Sequence, residues 1–320
     1  MPKMDIAYTM GVIATKEKYL LKDRVLRLAE LSPDEAFRFL LETGYGGGAE
    51  TTASVYDFEK LIQAEEEKLD AFIREYAPNR RLSAYLLAPR DFHNAKALVK
   101  AFITGEDDEK MLAPDGLVQS AVIKNCVQTG DFSSLYPALA SVCEKAMQTA
   151  KDTEISGAEL GLLFEKAQAE YIVSESKGFL KKVVSAKTDM TNILTALRSV
   201  DEAQAKENFL PGGTLPNKKL LSLFDTEKAL SNFKRTDYYS FVQSCLDAKE
   251  KGLPMTQAEK TRDSYDIAQF EARKYELVKT EPFLYYIYRR KLENENVRIV
   301  FVCLLAGLSE AEIKRRLRGV

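Results

Sequence analysis

Asp91-Phe92-His93-Asn94, Asp189-Met190-Thr191-Asn192 and Glu293-Asn294-Glu295-Asn296 share one pattern: an acid followed three residues later by asparagine. An apolar helical stretch follows each. Asn94 precedes Gly105 by eleven residues, and Asn296 precedes Gly307 by the same eleven. The first two copies then reach the turns Pro114-Asp115-Gly116 and Pro211-Gly212-Gly213, while the third runs to the end of the sequence. An acid and an asparagine at a helix start can both cap exposed amides. A glycine eleven residues on suits a C-cap after about three turns. The unit therefore reads as long helix, short connector, capped apolar helix, turn.

A second marker repeats alongside it. Phe-Glu occurs three times, at Phe58-Glu59, Phe164-Glu165 and Phe270-Glu271, with consecutive copies 106 residues apart, and each reads as early in a long amphipathic helix. A unit of about 100 residues is too long for a tetratricopeptide or HEAT array and is the size of a domain. The expectation is an all-α chain of three similar helical domains, spanning 1–112, 113–212 and 213–320.

Periodicity supports helices throughout. Phe58, Leu61, Ile62, Leu69, Phe72, Ile73 and Tyr76 fall on one helical face, as do Ala95, Leu98, Val99, Phe102 and Ile103. Ser32-Pro33-Asp34-Glu35 reads as a capping box with proline at the first helical position, and Ser309-Glu310-Ala311-Glu312 repeats that logic. Sustained apolar–polar alternation is scarce, so almost no sheet is expected.

Composition narrows the function. Lys+Arg is 46 and Asp+Glu 48, a net charge of −2 over 320 residues. That offers no bulk attraction for nucleic acid or an anionic membrane, so any such contact must be a local patch. The cysteines Cys126, Cys143, Cys245 and Cys303 form no Cys-x-x-Cys pair and read as free, mostly buried thiols of a reducing cytosol. His93 is the only histidine, so no zinc cluster is available. The apolar run Ile299 to Leu308 is too short to span a bilayer. Ile6 to Ala14 reads as the first helix rather than a signal peptide.

No motif announces catalysis. Gly44-Tyr45-Gly46-Gly47-Gly48 lacks the Lys-Ser/Thr of a phosphate loop and reads as a flexible connector between helices. Asp107-Asp108-Glu109 and Glu65-Glu66-Glu67 read as solvated acidic faces, since three consecutive helical carboxylates diverge. His93 lies between Asp91 and Asn94, which favours a helix-start role. Arg289-Arg290-Lys291 and Lys314-Arg315-Arg316 with Arg318 read as helix C-terminal cations or a partner contact. No catalytic, cofactor-binding or metal residue is assigned, and no cofactor.

The C-terminal stretch Glu281-Pro282-Phe283-Leu284-Tyr285-Tyr286-Ile287-Tyr288-Arg289-Arg290, with Glu293, Asn296-Val297-Arg298-Ile299-Val300, Gly307-Leu308, Glu312-Ile313 and Arg316-Leu317-Arg318, resembles the closing signature of the C-subunit family of V-type and A-type ATPases (ATP synthases). That family includes the d subunit of the eukaryotic V-ATPase. Tyr8 to Leu21 is similar to its first helix, and Pro211-Gly212-Gly213 to its mid-chain turn. Val12 and Ala14 stand where basic residues are expected, Lys291 replaces an acid, and Cys303-Leu304 replaces Gly-Lys. The resemblance implies a pseudo-threefold funnel of three helical domains. It implies a non-catalytic coupler, bound to the central-stalk subunits and to the membrane rotor ring. Such a protein is cytoplasmic and peripheral, binds no nucleic acid and inserts into no membrane. The residues by themselves also fit a helical scaffold or adaptor unrelated to ATPases.

Overall fold

A computed structural model describes residues 5–21, 23–47, 54–105, 111–276 and 279–319. Among these residues the regular structure is helical, with no strand. The helices are α1 (Ile6–Lys16), α2 (Arg24–Leu28), α3 (Pro33–Glu42), α4 (Phe58–Tyr76), α5 (Arg80–Thr104), α6 (Ser120–Thr129), α7 (Pro137–Asp152) and α8 (Gly157–Glu175). There follow α9 (Gly178–Arg198), α10 (Glu202–Asn208), α11 (Asn217–Leu221), α12 (Thr226–Phe233), α13 (Tyr239–Glu250), α14 (Thr256–Glu271), α15 (Glu281–Leu305) and α16 (Glu310–Arg316).

The chain divides into two compact units. One joins residues 1–79 to 266–320, and the other is 80–265. These do not coincide with the spans 1–112, 113–212 and 213–320. In the first unit α15 packs against α1, α2, α3, α4 and α16. Its core draws on both ends of the sequence: Leu28, Leu40, Leu61 and Ile62 meet Val297, Val300 and Phe301. Phe58 stacks on Phe301 with ring centroids 5.3 Å apart. In the second unit α5 packs against α6, α7 and α8, and α9 against α10, α11 and α13. Ile193, Leu197, Phe233, Val242 and Cys245 are buried there.

Local signals hold where they are local. Both capping boxes form, Ser32 with Glu35 and Ser309 with Glu312. A third, Ser156 with Glu159, opens α8 and has the same Ser-x-x-Glu signature. Gly105 follows α5 at φ 70° and Gly307 follows α15 at φ 72°, the left-handed backbone that a C-terminal glycine supplies. The face of α4 is buried at Leu61, Ile62, Leu69, Phe72 and Ile73.

Two expectations fail. Asp91, Asp189 and Glu293 do not start helices: they lie buried midway along α5, α9 and α15. Amides within a helix are already bonded, so these side chains must find partners elsewhere. Phe-Glu does not mark equivalent places either. Phe58 opens α4, Phe164 lies inside α8, and Phe270 sits at the end of α14. On α5, Ala95, Leu98 and Val99 are buried, but Phe102 and Ile103 are 51% and 38% exposed.

Candidate functional site

The acid–asparagine pairs act as anchors from the middle of long helices. Asn94 accepts from the Ala113 amide at 2.8 Å and donates to its carbonyl at 3.0 Å. Asn192 does the same with Leu210, at 2.8 and 2.9 Å, and Asn296 with Arg318, at 2.9 and 2.8 Å. A carboxamide matches one peptide unit, donor to acceptor in both directions, and so pins a returning segment like a piece of β-ladder.

The acids hold the next part of that segment. Asp91 accepts from the amides of Leu117 and Val118, both at 3.1 Å, and from the Tyr136 hydroxyl at 3.3 Å. Asp189 accepts from the amides of Thr214 and Leu215, both at 2.9 Å, and from the Tyr238 hydroxyl at 2.9 Å. Gly116 and Gly213 precede these amides, and a Cβ on either would collide with the carboxylate below. That close approach explains the glycine in each turn. Burial pushes both phenols well above the ordinary tyrosine range, with the facing carboxylate adding to the shift.

The third anchor differs. Glu293 accepts from the Leu21 main-chain amide, so a segment near the start of the sequence supplies what a downstream turn supplies in the other copies. Arg290 bridges Glu293 and Glu65, and Glu65 also accepts from the Gly46 amide at 2.9 Å and from Lys68 at 2.8 Å. Tyr45 donates to Asn294 Oδ1 at 2.7 Å. Burial alone would weaken the Arg290 charge, but Glu293 and Glu65 outweigh it and raise its pKa. Burial also pushes Tyr286 up to about 12. A cavity of about 280 Å³ opens beside this cluster, lined by Lys16, Thr43, Gly44, Tyr45, Glu65, Lys68, Leu69, Phe72, Tyr286 and Arg290. Its buried polar groups bond to one another and to main-chain amides, so the arrangement ties α15 to α4 and to the 44–46 and Leu21 segments.

Other candidates resolve accordingly. Residues 44–47 are a packed turn rather than a flexible connector, because Tyr45 is buried and a Cβ on Gly46 would strike Leu61. Gly48 and Asp107-Asp108-Glu109 lie outside the described residues. Glu65 is not solvated, and Glu66 pairs with Arg298 at 3.2 Å, so these two serve internal ion pairs. His93 is exposed within α5, its Nε2 3.0 Å from the Met111 carbonyl. Arg289-Arg290-Lys291 lie inside α15 rather than at its C-terminus. Lys314, Arg315 and Arg316 do occupy the last turn of α16. All four cysteines are free and buried. Among the described residues no three potential ligands converge on a metal position, and no helix is long and apolar enough to cross a membrane.

Fold and site define an all-α protein whose long helices are pinned from their midpoints by buried polar side chains. The chain belongs to the ATP synthase (C/AC39) subunit family, whose profile matches residues 11–316. It is similar to the C subunit of the V-type sodium ATPase of Enterococcus hirae, 23% identical over 275 residues that cover 82% of this chain and 83% of that one. The C subunit of the V-type ATP synthase of Thermus thermophilus is 24% identical, with 78% of this chain and 81% of its own covered. That of Deinococcus radiodurans is 27% identical, with 66% and 65% covered. The resemblance read from Glu281 to Arg318 is therefore a family relationship along nearly the whole chain, and it places the chain among V/A-type ATPase subunits.

Proposed function

We propose that this chain is the non-catalytic coupler between the central-stalk subunits and the membrane rotor ring of a V/A-type ATPase. It sits on the cytoplasmic face as a peripheral component and serves rotary ion transport. The observation that carries this reading is the family match from residue 11 to residue 316. The same reading takes the three anchored helices α5, α9 and α15 as the axes of three similar helical domains forming a funnel. Rigidity would be the working property: close-packed helices deform little under load, and buried two-way hydrogen bonds keep the returning segments in place.

Separate capture experiments test the proposal, with the full-length chain as bait and the purified stalk subunits or the purified ring as prey. Both are expected to bind, and the isolated chain is expected to turn over no ATP. Failure to capture either one would end the coupler reading.

A further inference from the structure

The polar groups around Glu65 and Arg290 satisfy one another with one exception, the Tyr286 hydroxyl. Tyr286 is 6% exposed and lines the cavity of about 280 Å³. Its ring packs edge-on against Phe72, with centroids 5.2 Å apart. Its hydroxyl has no hydrogen-bond partner among the described residues. Buried polar groups are nearly always bonded, so a buried phenol left over on a cavity wall points to an occupant. Burial pushes its pKa up to about 12, so at neutral pH the hydroxyl keeps its proton and is a donor.

The same wall carries cations. Lys16 ends α1, Lys68 lies on α4, and Arg290 follows Tyr286 by one turn on the same face of α15. Lys16 has its ammonium 5.6 Å from the centre of the Phe72 ring and no carboxylate partner among the described residues. Lys68 bonds Glu65 at 2.8 Å, which leaves two of its three N–H donors. Arg290 spends part of its five-donor fork on Glu65 and Glu293. Glu65 is the one carboxylate of the lining. Its two oxygens already accept from Lys68, the Gly46 amide and Arg290, so it offers a ligand little to bond. Three cations thus face one saturated carboxylate. Glu293 and Glu17 act on Tyr286 from outside the lining and offset part of that charge. All these residues belong to the unit that joins 1–79 to 266–320.

We propose that this cavity binds a phosphate group, held by Lys16, Lys68 and Arg290, with the Tyr286 hydroxyl donating to one of its oxygens. The donors come from three helices. A tetrahedral oxyanion turns acceptors in several directions at once, whereas the two oxygens of a carboxylate lie in one plane. The apolar walls, Leu69 and Phe72, leave these donors as the groups that select the ligand.

The test uses the full-length chain alone and needs neither stalk nor ring. Inorganic phosphate, glycerol phosphate, acetate and chloride are titrated at matched ionic strength, with calorimetry and melting temperature as readouts. Tyr286→Phe and Lys16→Gln are compared with wild type. Tyr286→Phe keeps the ring against Phe72, and Lys16 is exposed, so neither should alter the melting temperature in chloride. A ligand that binds only the folded chain raises the melting point in a saturable way, and inorganic phosphate is expected to do so in wild type. Each variant should weaken phosphate binding by about tenfold, the usual effect of one hydrogen bond to a charged group. Tighter binding of glycerol phosphate supports the site with an esterified phosphate as its source, and tighter inorganic phosphate supports the free ion. No saturable effect of either phosphate beyond chloride overturns the proposal. Wild-type affinity in both variants also overturns it and marks an adventitious ion only. Acetate binding as tightly as phosphate overturns the assignment to phosphate.

Discussion

The Asn192 carboxamide and the Leu210 main chain hold each other in both directions, at 2.8 Å into the asparagine oxygen and 2.9 Å out of its nitrogen. The residues are 18 positions apart, and the bond pair fastens the segment after α10 to the middle of α9. Asn94 and Asn296 repeat it with partners 19 and 22 positions away. Replacing any of the three by alanine removes two hydrogen bonds and leaves a main-chain pair unsatisfied. The expected cost is ~2 kcal/mol each, read as a lowered urea midpoint. Asparagine to aspartate should cost as much, because a carboxylate cannot donate to the carbonyl. An aspartate variant as stable as wild type would contradict the two-way bond.

Glycines separate by environment. Gly116→Ala and Gly213→Ala should displace the turn from Asp91 or Asp189, since the added Cβ meets the carboxylate. Gly157→Ala should be neutral or slightly stabilising, because it lies in the first turn of α8, has no positive φ and meets nothing within 4 Å. Equal melting temperatures for all three would show that the turns do not need their close approach.

Removing Arg290 should expose how the cluster works. Arg290→Met leaves Glu65 and Glu293 buried without their shared cation, at an expected cost of ~3–5 kcal/mol at neutral pH. Adding Glu65→Gln and Glu293→Gln should recover part of that loss, a non-additivity that a three-variant denaturation series would measure. A strictly additive series would show that the three do not act as one group.

The capping boxes carry a pH signature. Glu35, Glu159 and Glu312 are each held below the ordinary glutamate range, chiefly by a hydrogen bond from the serine side chain and then from its amide. A folded-state pKa below the unfolded value means stability that is present above the unfolded pKa, ~4.3, and lost as pH falls through the folded one. The difference between wild type and Glu159→Gln should therefore shrink with acidification and vanish below the folded pKa. A difference that grows toward low pH would reverse the sign.

Thiol chemistry should report folding. Burial pushes Cys143 up to about 12 and Cys245 up to about 11, and raises Cys126 as well. Thiolate is the reactive form, so the native chain should resist alkylation at pH 8 and take up four labels on unfolding, counted by mass spectrometry. Rapid labelling of Cys143 in the folded chain would contradict its burial.

The sequence by itself determined what depends on near neighbours. The apolar face of α4 follows from 3.6-residue periodicity, and Ser32 with Glu35 needs only three residues of spacing to form its box. Gly105 and Gly307 follow from the rule that a helix end favours a residue without a Cβ. The acid–asparagine spacing marked the right residues, and the closing signature from Glu281 to Arg318 marked the family. What those residues do was settled only by tertiary structure, because their partners arrive on segments that double back. Nothing within four residues of Asp189 shows that its ligands are the amides of Thr214 and Leu215. Arg290 and Glu65 are 225 positions apart, and Leu21 and Glu293 are 272 apart, beyond any local pattern. A buried charge is tolerated only where a distant partner is delivered to it, and that delivery is a property of the packed chain.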